Sequence, residues 1–369
     1  MEALERVFVP SLPVDLRLTL AIHRRGPGDP TLRFSRDGSA WRATRTPEGP
    51  ATLRLVPDRR AAGRPTADAG NPRRSITAIW AQAWGPGAAW AIEQAPELVG
   101  ADEEPAAVDV FARLVAEVGP PLLATLLARY HAIRLCRTRR VLEALVPAII
   151  EQKVTGDEAR AAFVALVWRH GEPAPGPWEG EGRAGEGAGR AGEGAGRAGA
   201  GEGRAGAGEG RAGAGEGRRP APLRVPPSPD VLAGLPGYAY HPLGLERRRA
   251  DAIRFAAARA ARVEECTGLP LAEAYARLRA LPLVGAWTAA EVGLRAFGDP
   301  DAVSVGDFHL AHTVCWALAG EERGNDRRML ELLAPYAGHR ARVIRLIEAG
   351  GVRAPRRGPR MAPRSIAGI

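Results

Sequence analysis

The chain has 369 residues, 45% of them apolar, and a formal net charge of +9. That length predicts two or three units, and the apolar share suffices for a sizeable core. Three scattered cysteines, Cys136, Cys266 and Cys315, suggest neither a disulfide framework nor a CxxC zinc site, and are too few for a four-cysteine iron–sulfur cluster. No signal-peptide pattern and no bilayer-length apolar run occurs, which predicts no membrane partner and a reducing, cytoplasmic setting. A basic balance favours a polyanion such as nucleic acid. Lys153 is the sole lysine among the 51 basic residues, and the arginines accompany many Ala, Gly and Pro. Arginine abundance therefore reads as compositional bias and carries little functional weight.

In chain order, residues 14–92 read as mostly β. Val14–Ile22 alternates apolar and polar residues, and Thr31–Phe34, Trp41–Thr44 and Thr52–Val56 are short runs between Gly, Pro and Asp turns. Ser75–Trp84 reads as a further strand, with Trp80, Trp84 and Trp90 expected to pack this region. From about residue 106 the period becomes helical: Val108–Val118, Leu122–Ile133, Thr138–Gln152 and Gly156–His170. Residues 171–222 are then nearly all Gly, Ala, Arg, Glu and Pro. RAGEGAG recurs at 183–189 and 190–196, and RAGAGEG at 197–203, 204–210 and 211–217. Glycine opposes helix and no large apolar residue marks a seam, so a flexible insertion is expected rather than a coiled coil. Helices resume at Arg247–Glu265, Leu271–Ala280, Ala286–Phe297, Phe308–Ala319, Asp326–Leu333 and His339–Ala349, before an Arg-rich tail.

The most informative stretch is LRALPLVGAWTAAEVGLRAFGDPDAVSVGD, Leu278–Asp307. One helix ends near Ala280. Leu281, Pro282, Leu283, Val284 and Gly285 make a sharp turn, and a second helix starts at Ala286. Proline stops the first helix and Gly285 permits a tight backbone. The free N–H groups and dipole of the second helix suit a DNA phosphate without reading sequence.

These residues resemble the helix-hairpin-helix DNA glycosylase superfamily, and most closely its 3-methyladenine DNA glycosylase II branch. LPLVGAWTA resembles the hairpin pattern L-P-G-[IV]-G-x-W-T-A. The catalytic aspartate of that branch lies twenty residues after the tryptophan, which from Trp287 lands on Asp307 in VGDFHLAH. ALVPAIIEQKVTGDEARAAF (144–163) and the stretch 224–253 fit as well, so the resemblance covers about 106–170 and 223–350. It departs at Leu283, which stands where the pattern has its first glycine and costs free energy if the backbone there needs a positive φ.

The resemblance implies an α+β architecture. A β-rich N-terminal domain (1–104) would precede an all-α two-lobed helix-hairpin-helix glycosylase module. That module is split into 105–170 and 223–350 by the insertion 171–222 and followed by the tail 351–369. It implies a monomeric, nucleoid-associated bacterial enzyme acting on duplex DNA with a damaged, alkylated base. Asp307 would stabilise the oxocarbenium-like sugar or activate water, and a cationic alkylated purine leaves with little acid help. Bifunctional members carry a Schiff-base lysine where this chain has Trp287, so no lyase activity is expected. Trp287 and Glu291 would line the base pocket, with Glu291 where the branch has a tyrosine one helical turn after the tryptophan, and a second pocket aromatic of the branch falls near Arg345. Gln152 and Lys153 match the loop that fills the gap left by a flipped base. No cofactor is required, although the carbonyls of Arg279, Leu281 and Val284 match those that hold a monovalent cation in related hairpins.

Plainer readings stand beside these. Asp307 also reads as an N-cap for the following helix, Trp287 as a core aromatic and Lys153 as a solvated lysine. His309, His312 and Cys315 share one helix face but offer three ligands at most. Arg247–Arg249 and Arg327–Arg328 read as solvated faces. A non-catalytic DNA-binding protein, or a glycosylase for deaminated or mismatched bases, remains open.

Overall fold

The computed structural model describes residues 2–58, 78–177 and 222–355. Most of the glycine-rich insertion, part of the Ser75–Trp84 run and most of the basic tail lie outside the described residues.

The N-terminal part builds one antiparallel sheet from β1 (Leu4–Phe8), β2 (Leu32–Phe34), β3 (Ala40–Thr46), β4 (Gly49–Asp58) and β5 (Ala78–Trp84), in the order β1-β5-β4-β3-β2. β3 and β4 form a hairpin with Thr46 opposite Gly49. The Thr46 hydroxyl accepts from the Glu48 N–H, and Gly49 takes a φ of +125° to close the turn. Trp41 and Trp84 stack at 5.6 Å on one face of the sheet. The other face buries Leu53, Leu55 and Ile79 against α2 (Ala88–Leu98), a helix that begins inside the stretch 14–92 expected to be mostly β.

One expected strand is a helix. Val14–Ile22 folds as α1 (Leu16–Leu20) followed by a 3₁₀ turn. Asp15 decides this: its carboxylate accepts from the Leu18 N–H at 2.9 Å and caps the helix start. Leu16, Thr19 and Leu20 are the buried residues, a helical spacing hidden inside the apparent alternation.

The remainder is helical: α3 (Pro105–Val118), α4 (Pro121–Tyr130), α5 (Val141–Ile150) and α6 (Gly156–His170), then the short pair β6 (Glu172–Pro173) and β7 (Arg224–Val225). There follow α7 (Pro229–Gly234), α8 (Arg247–Ala257), α9 (Ala260–Glu264), α10 (Leu271–Arg279), α11 (Ala286–Val292), α12 (Leu310–Ala319), α13 (Asp326–Leu333) and α14 (Arg340–Ala349). The expected helix Arg247–Glu265 is thus broken at Ala258–Arg259. The expected helix Ala286–Phe297 passes into a π-helical turn at Gly293–Phe297. α6 carries a full capping box, Thr155 and Glu158 satisfying each other's N–H groups.

The helices bury two separate apolar clusters. One gathers α5, α6 and α8 with α10 and α11, around Leu145, Ile149, Leu166, Ile253 and Leu278. The other joins α3 and α4 to α12, α13 and α14 across nearly two hundred residues of chain, around Leu123, Val314, Leu333 and Ile347. α11 belongs to the first cluster and α12 to the second, so the segment 298–309 carries the chain from one to the other.

Candidate active site

The turn between α10 and α11 has the expected form. Leu278 accepts from the Leu281 N–H and Leu281 from the Val284 N–H, which folds the chain back within five residues. Leu283 sits at φ +60°, the left-handed region its departure from the pattern had put in question. Gly285 leads into α11 in an extended conformation, so the first-turn N–H groups of α11 open at the hairpin mouth. Val284 is buried, while Pro282 and Gly285 are exposed.

The loop after α5 meets this hairpin. The Gln152 amide donates to the Leu283 carbonyl and to the Thr288 hydroxyl, both at 2.8 Å. Lys153 follows, exposed, at φ +55°. Two strained non-glycine residues therefore lie on the two sides of one contact. Arg249, expected on a solvated face, is instead buried and donates to the Ile150 carbonyl at 2.7 Å, closing the C-terminal end of α5 just before this loop. Arg327 is exposed, and Arg328 pairs with Glu321 and Glu331.

Asp307 and Trp287 come together across the 298–309 crossing. The indole N–H of Trp287 donates to Asp307 Oδ2 at 3.2 Å. Asp307 Oδ1 accepts from the His309 and Leu310 N–H groups, each at 2.8 Å, so the carboxylate also caps α12. The Asp307 N–H returns to Ser304, and Gly306 at φ +94° donates to Asp326. The carboxylate is thus fixed by three donors from two directions. Phe308, beside it, is 81% exposed and meets His309 edge-on.

Glu291, one turn beyond Trp287, is held in an ion pair with Arg295 at 2.5 Å and accepts from Ser304 at 2.5 Å. Burial alone would raise its pKa, but Arg295, Ser304 and Arg25 together hold it below the usual carboxylate value. Arg295 also donates to the Ile22 carbonyl, tying α11 to the segment after α1. Arg345 is buried, donates to the Leu18 carbonyl at 2.9 Å and pairs with Glu348. Arg25 pairs with Glu151 at the foot of the Gln152–Lys153 loop.

Sequence reasoning missed Arg295, Ser304, Arg25 and His23. His23 approaches Cys136 Sγ at 3.0 Å, and burial followed by Arg42, Arg295, Arg25 and Arg345 pushes its pKa well below 6.5. A cavity lined by His23, Arg25 and Arg295, with Phe163 and Leu166 on its apolar side, reaches this region. The spacing of Glu291 and Arg295, four apart on one helix, was the available signal.

The face His309, His312, Cys315 does not form a metal site. His312 accepts from the Gly324 N–H and Cys315 is buried against that glycine. No cluster of three metal-ligating side chains occurs among the described residues.

No protein-family model matches the sequence, and no curated protein does. Solved structures do match. 3-Methyladenine DNA glycosylase from Archaeoglobus fulgidus aligns with a TM-score of 0.67 at 17% identity, over 94% of this chain and 98% of that one. MBOgg1 in complex with a low-affinity DNA ligand aligns at 0.59 and 13% identity, over 95% and 100%. The 8-oxoguanine glycosylase/lyase of Clostridium acetobutylicum, with duplex DNA carrying cytosine opposite 8-oxoguanine, aligns at 0.56 and 10%, over 94% and 98%. With the hairpin and the Trp287–Asp307 contact in place, these alignments establish that the chain has the fold of the helix-hairpin-helix DNA glycosylases.

Proposed function

We propose that this chain is a monofunctional DNA glycosylase that hydrolyses the N-glycosidic bond of alkylated bases in duplex DNA. The single observation that carries the reading is the Asp307 carboxylate, fixed by the Trp287 indole on one side and by the start of α12 on the other. The fold it shares with DNA glycosylases of known activity gives that carboxylate its context.

In this reading the two apolar clusters are two lobes, and the cleft between them admits a base turned out of the stack. The hairpin Leu281–Gly285 grips phosphate through the N–H groups opening α11. A monovalent cation on the carbonyls of Arg279, Leu281 and Val284 would supply added positive charge against the backbone. Oxygen donors suit such an ion, and the Leu281 carbonyl keeps a lone pair beyond its bond to Val284. Gln152 holds its loop against the hairpin while Lys153 enters the gap left by the base. Asp307 faces the positive charge that develops on the sugar and orients the attacking water. Trp287 fixes Asp307 and flanks the base. The enzyme acts as a monomer and needs no other cofactor.

Two observations support competing readings. Asp307 does cap α12, which a non-catalytic DNA-binding protein would also need. Glu291 and Arg345, both ion-paired, stand where the alkylbase branch carries aromatic residues, which favours a deaminated or mismatched base. The test is release of free base from methylated duplex DNA, with trapping by borohydride run in parallel. Release without a trapped covalent complex is expected, because no lysine lies on the hairpin helix. A borohydride-trapped adduct contradicts the monofunctional assignment. Binding without release of any base supports the binding-protein reading.

A further inference from the structure

The surroundings of Asp307 carry a second piece of chemistry. Trp287, Glu291 and Arg295 follow one another at four-residue spacing, which places them along one side of α11 and its π-helical extension. Trp287 reaches Asp307. Glu291 reaches Ser304, three residues before Asp307 in the chain. Both carboxylates are therefore tied between the same two strips of backbone.

Neither Glu291 nor Arg295 is sealed. Their side chains keep 14% and 12% of their surface, and the cavity shared with His23 and Arg25 borders Arg295. Each also keeps unused hydrogen-bonding capacity. Every carboxylate oxygen of Glu291 has one donor and a second lone-pair direction. Arg295 spends Nε on the Ile22 carbonyl and Nη1 on Glu291, while Nη2 has no partner among the described residues. Arg295, Arg25 and Ser304 hold the Glu291 carboxyl ionised. An acceptor edge and a donor edge thus sit side by side, one turn beyond the residue that holds Asp307.

Resting on the glycosylase reading above, we propose that Glu291 and Arg295 are a base-reading pair that selects 6-oxopurines. Glu291 accepts from N1–H, and from the exocyclic amino group where there is one. Arg295 Nη2 donates to O6. Of the alkylated purines, 7-methylguanine presents this edge. 3-Methyladenine presents the reverse: an unprotonated N1 toward the carboxylate and an amino group toward the guanidinium. Acceptor then meets acceptor and donor meets donor, and the buried groups of the site are left unpaired, which discriminates far more strongly than a change in apolar fit. Hypoxanthine shares the N1–H and O6 edge without the positive charge of an alkylated base.

The experiment measures initial rates of release from duplex DNA carrying 7-methylguanine and 3-methyladenine together, and from duplex carrying hypoxanthine, each corrected for uncatalysed loss. Wild-type protein is expected to favour 7-methylguanine over 3-methyladenine by at least about tenfold, the scale of one good bidentate base contact. Glu291→Gln, which replaces one acceptor oxygen by an N–H donor, is expected to lower that ratio by about tenfold. Faster release of 3-methyladenine by wild type overturns the proposal, and so does an unchanged ratio in an active Glu291→Gln variant. The wild-type ranking decides alone if the variant does not fold. Release of hypoxanthine with neither methylated base overturns the alkylbase reading but supports the base-reading pair; no release of any base overturns both.

Discussion

Leu283 and Lys153 spend free energy on backbone conformations that glycine would adopt without strain, about 1–2 kcal/mol each. Both are joined through Gln152, whose amide donates to the Leu283 carbonyl and whose chain neighbour is Lys153. Removing the amide leaves the Leu283 carbonyl and the Thr288 hydroxyl without this donor and lets both loops relax. Gln152→Ala is expected to lower stability by about 1–3 kcal/mol. It is also expected to weaken duplex binding, both readable from denaturant melts and a binding titration. Leu283→Gly acts in opposite senses, relieving the left-handed strain and removing a side chain packed on the first helical cluster, so its net change in stability is expected to stay within about 1 kcal/mol. The pairing of Trp287 with Asp307 was legible because the resemblance puts a carboxylate twenty residues after the tryptophan, and the two side chains do meet. The partners of Gln152 were not, because they lie more than 130 residues away and a side-chain amide carries no periodicity.

The element that sets the site is α11 with its π-helical extension. Gly293, where that extension begins, packs directly against Tyr275. A Cβ at Gly293 would fall 1.9 Å from the Tyr275 hydroxyl oxygen. That hydroxyl cannot swing aside cheaply, since it is bonded to Asp299 at 2.5 Å and its ring meets Phe297 edge-on. Gly293→Ala is therefore expected to destabilise by about 1–3 kcal/mol, the range for overpacking a filled site. It is also expected to cut base release more than duplex binding, because Arg295 sits within the displaced turn. Comparing melting with single-turnover release checks both. Strands β2, β3 and β4 were visible as short β-branched and aromatic runs between turn residues. α1 was not, because five apolar residues at alternate positions imitate a strand until Asp15 is seen to cap the chain. The π-helical turn left no mark in the sequence, since Ala286–Phe297 keeps a helical period throughout.

At the scale of the whole molecule, the sheet, the first helical cluster and the second are joined around buried charges. Arg295 ties α11 to Ile22, Arg345 ties α14 to Leu18, and Arg25 ties the same N-terminal segment to Glu151. His23 lies among these arginines as a neutral imidazole. In the unfolded chain it titrates near 6.5, whereas in the folded chain burial and Arg42 hold its pKa well below that. Below about pH 6.5 the unfolded state therefore binds the proton and the folded state does not, and stability falls as pH falls, by up to about 1.4 kcal/mol per pH unit from this group. Melting temperature is expected to drop from pH 6.5 to 5.5, and His23→Asn to flatten that slope. The excess of positive charge visible in the composition pointed to a polyanionic partner. It did not reveal that so many of the arginines bind parts of the protein to one another, because ion pairs across elements depend on the fold and not on the sum of charge.

The most direct test of the account compares wild type with Asp307→Asn in single-turnover base release from methylated duplex, at protein concentrations where both bind the duplex fully. The asparagine keeps an oxygen for the His309 and Leu310 N–H groups and so preserves the cap on α12. Loss of release by at least about a hundredfold, the scale of losing one oriented charge at the reacting centre, with binding retained is the expected result. Unchanged release by Asp307→Asn would contradict the account, since Asp307 would then be a helix cap and the bond-breaking carboxylate would lie elsewhere.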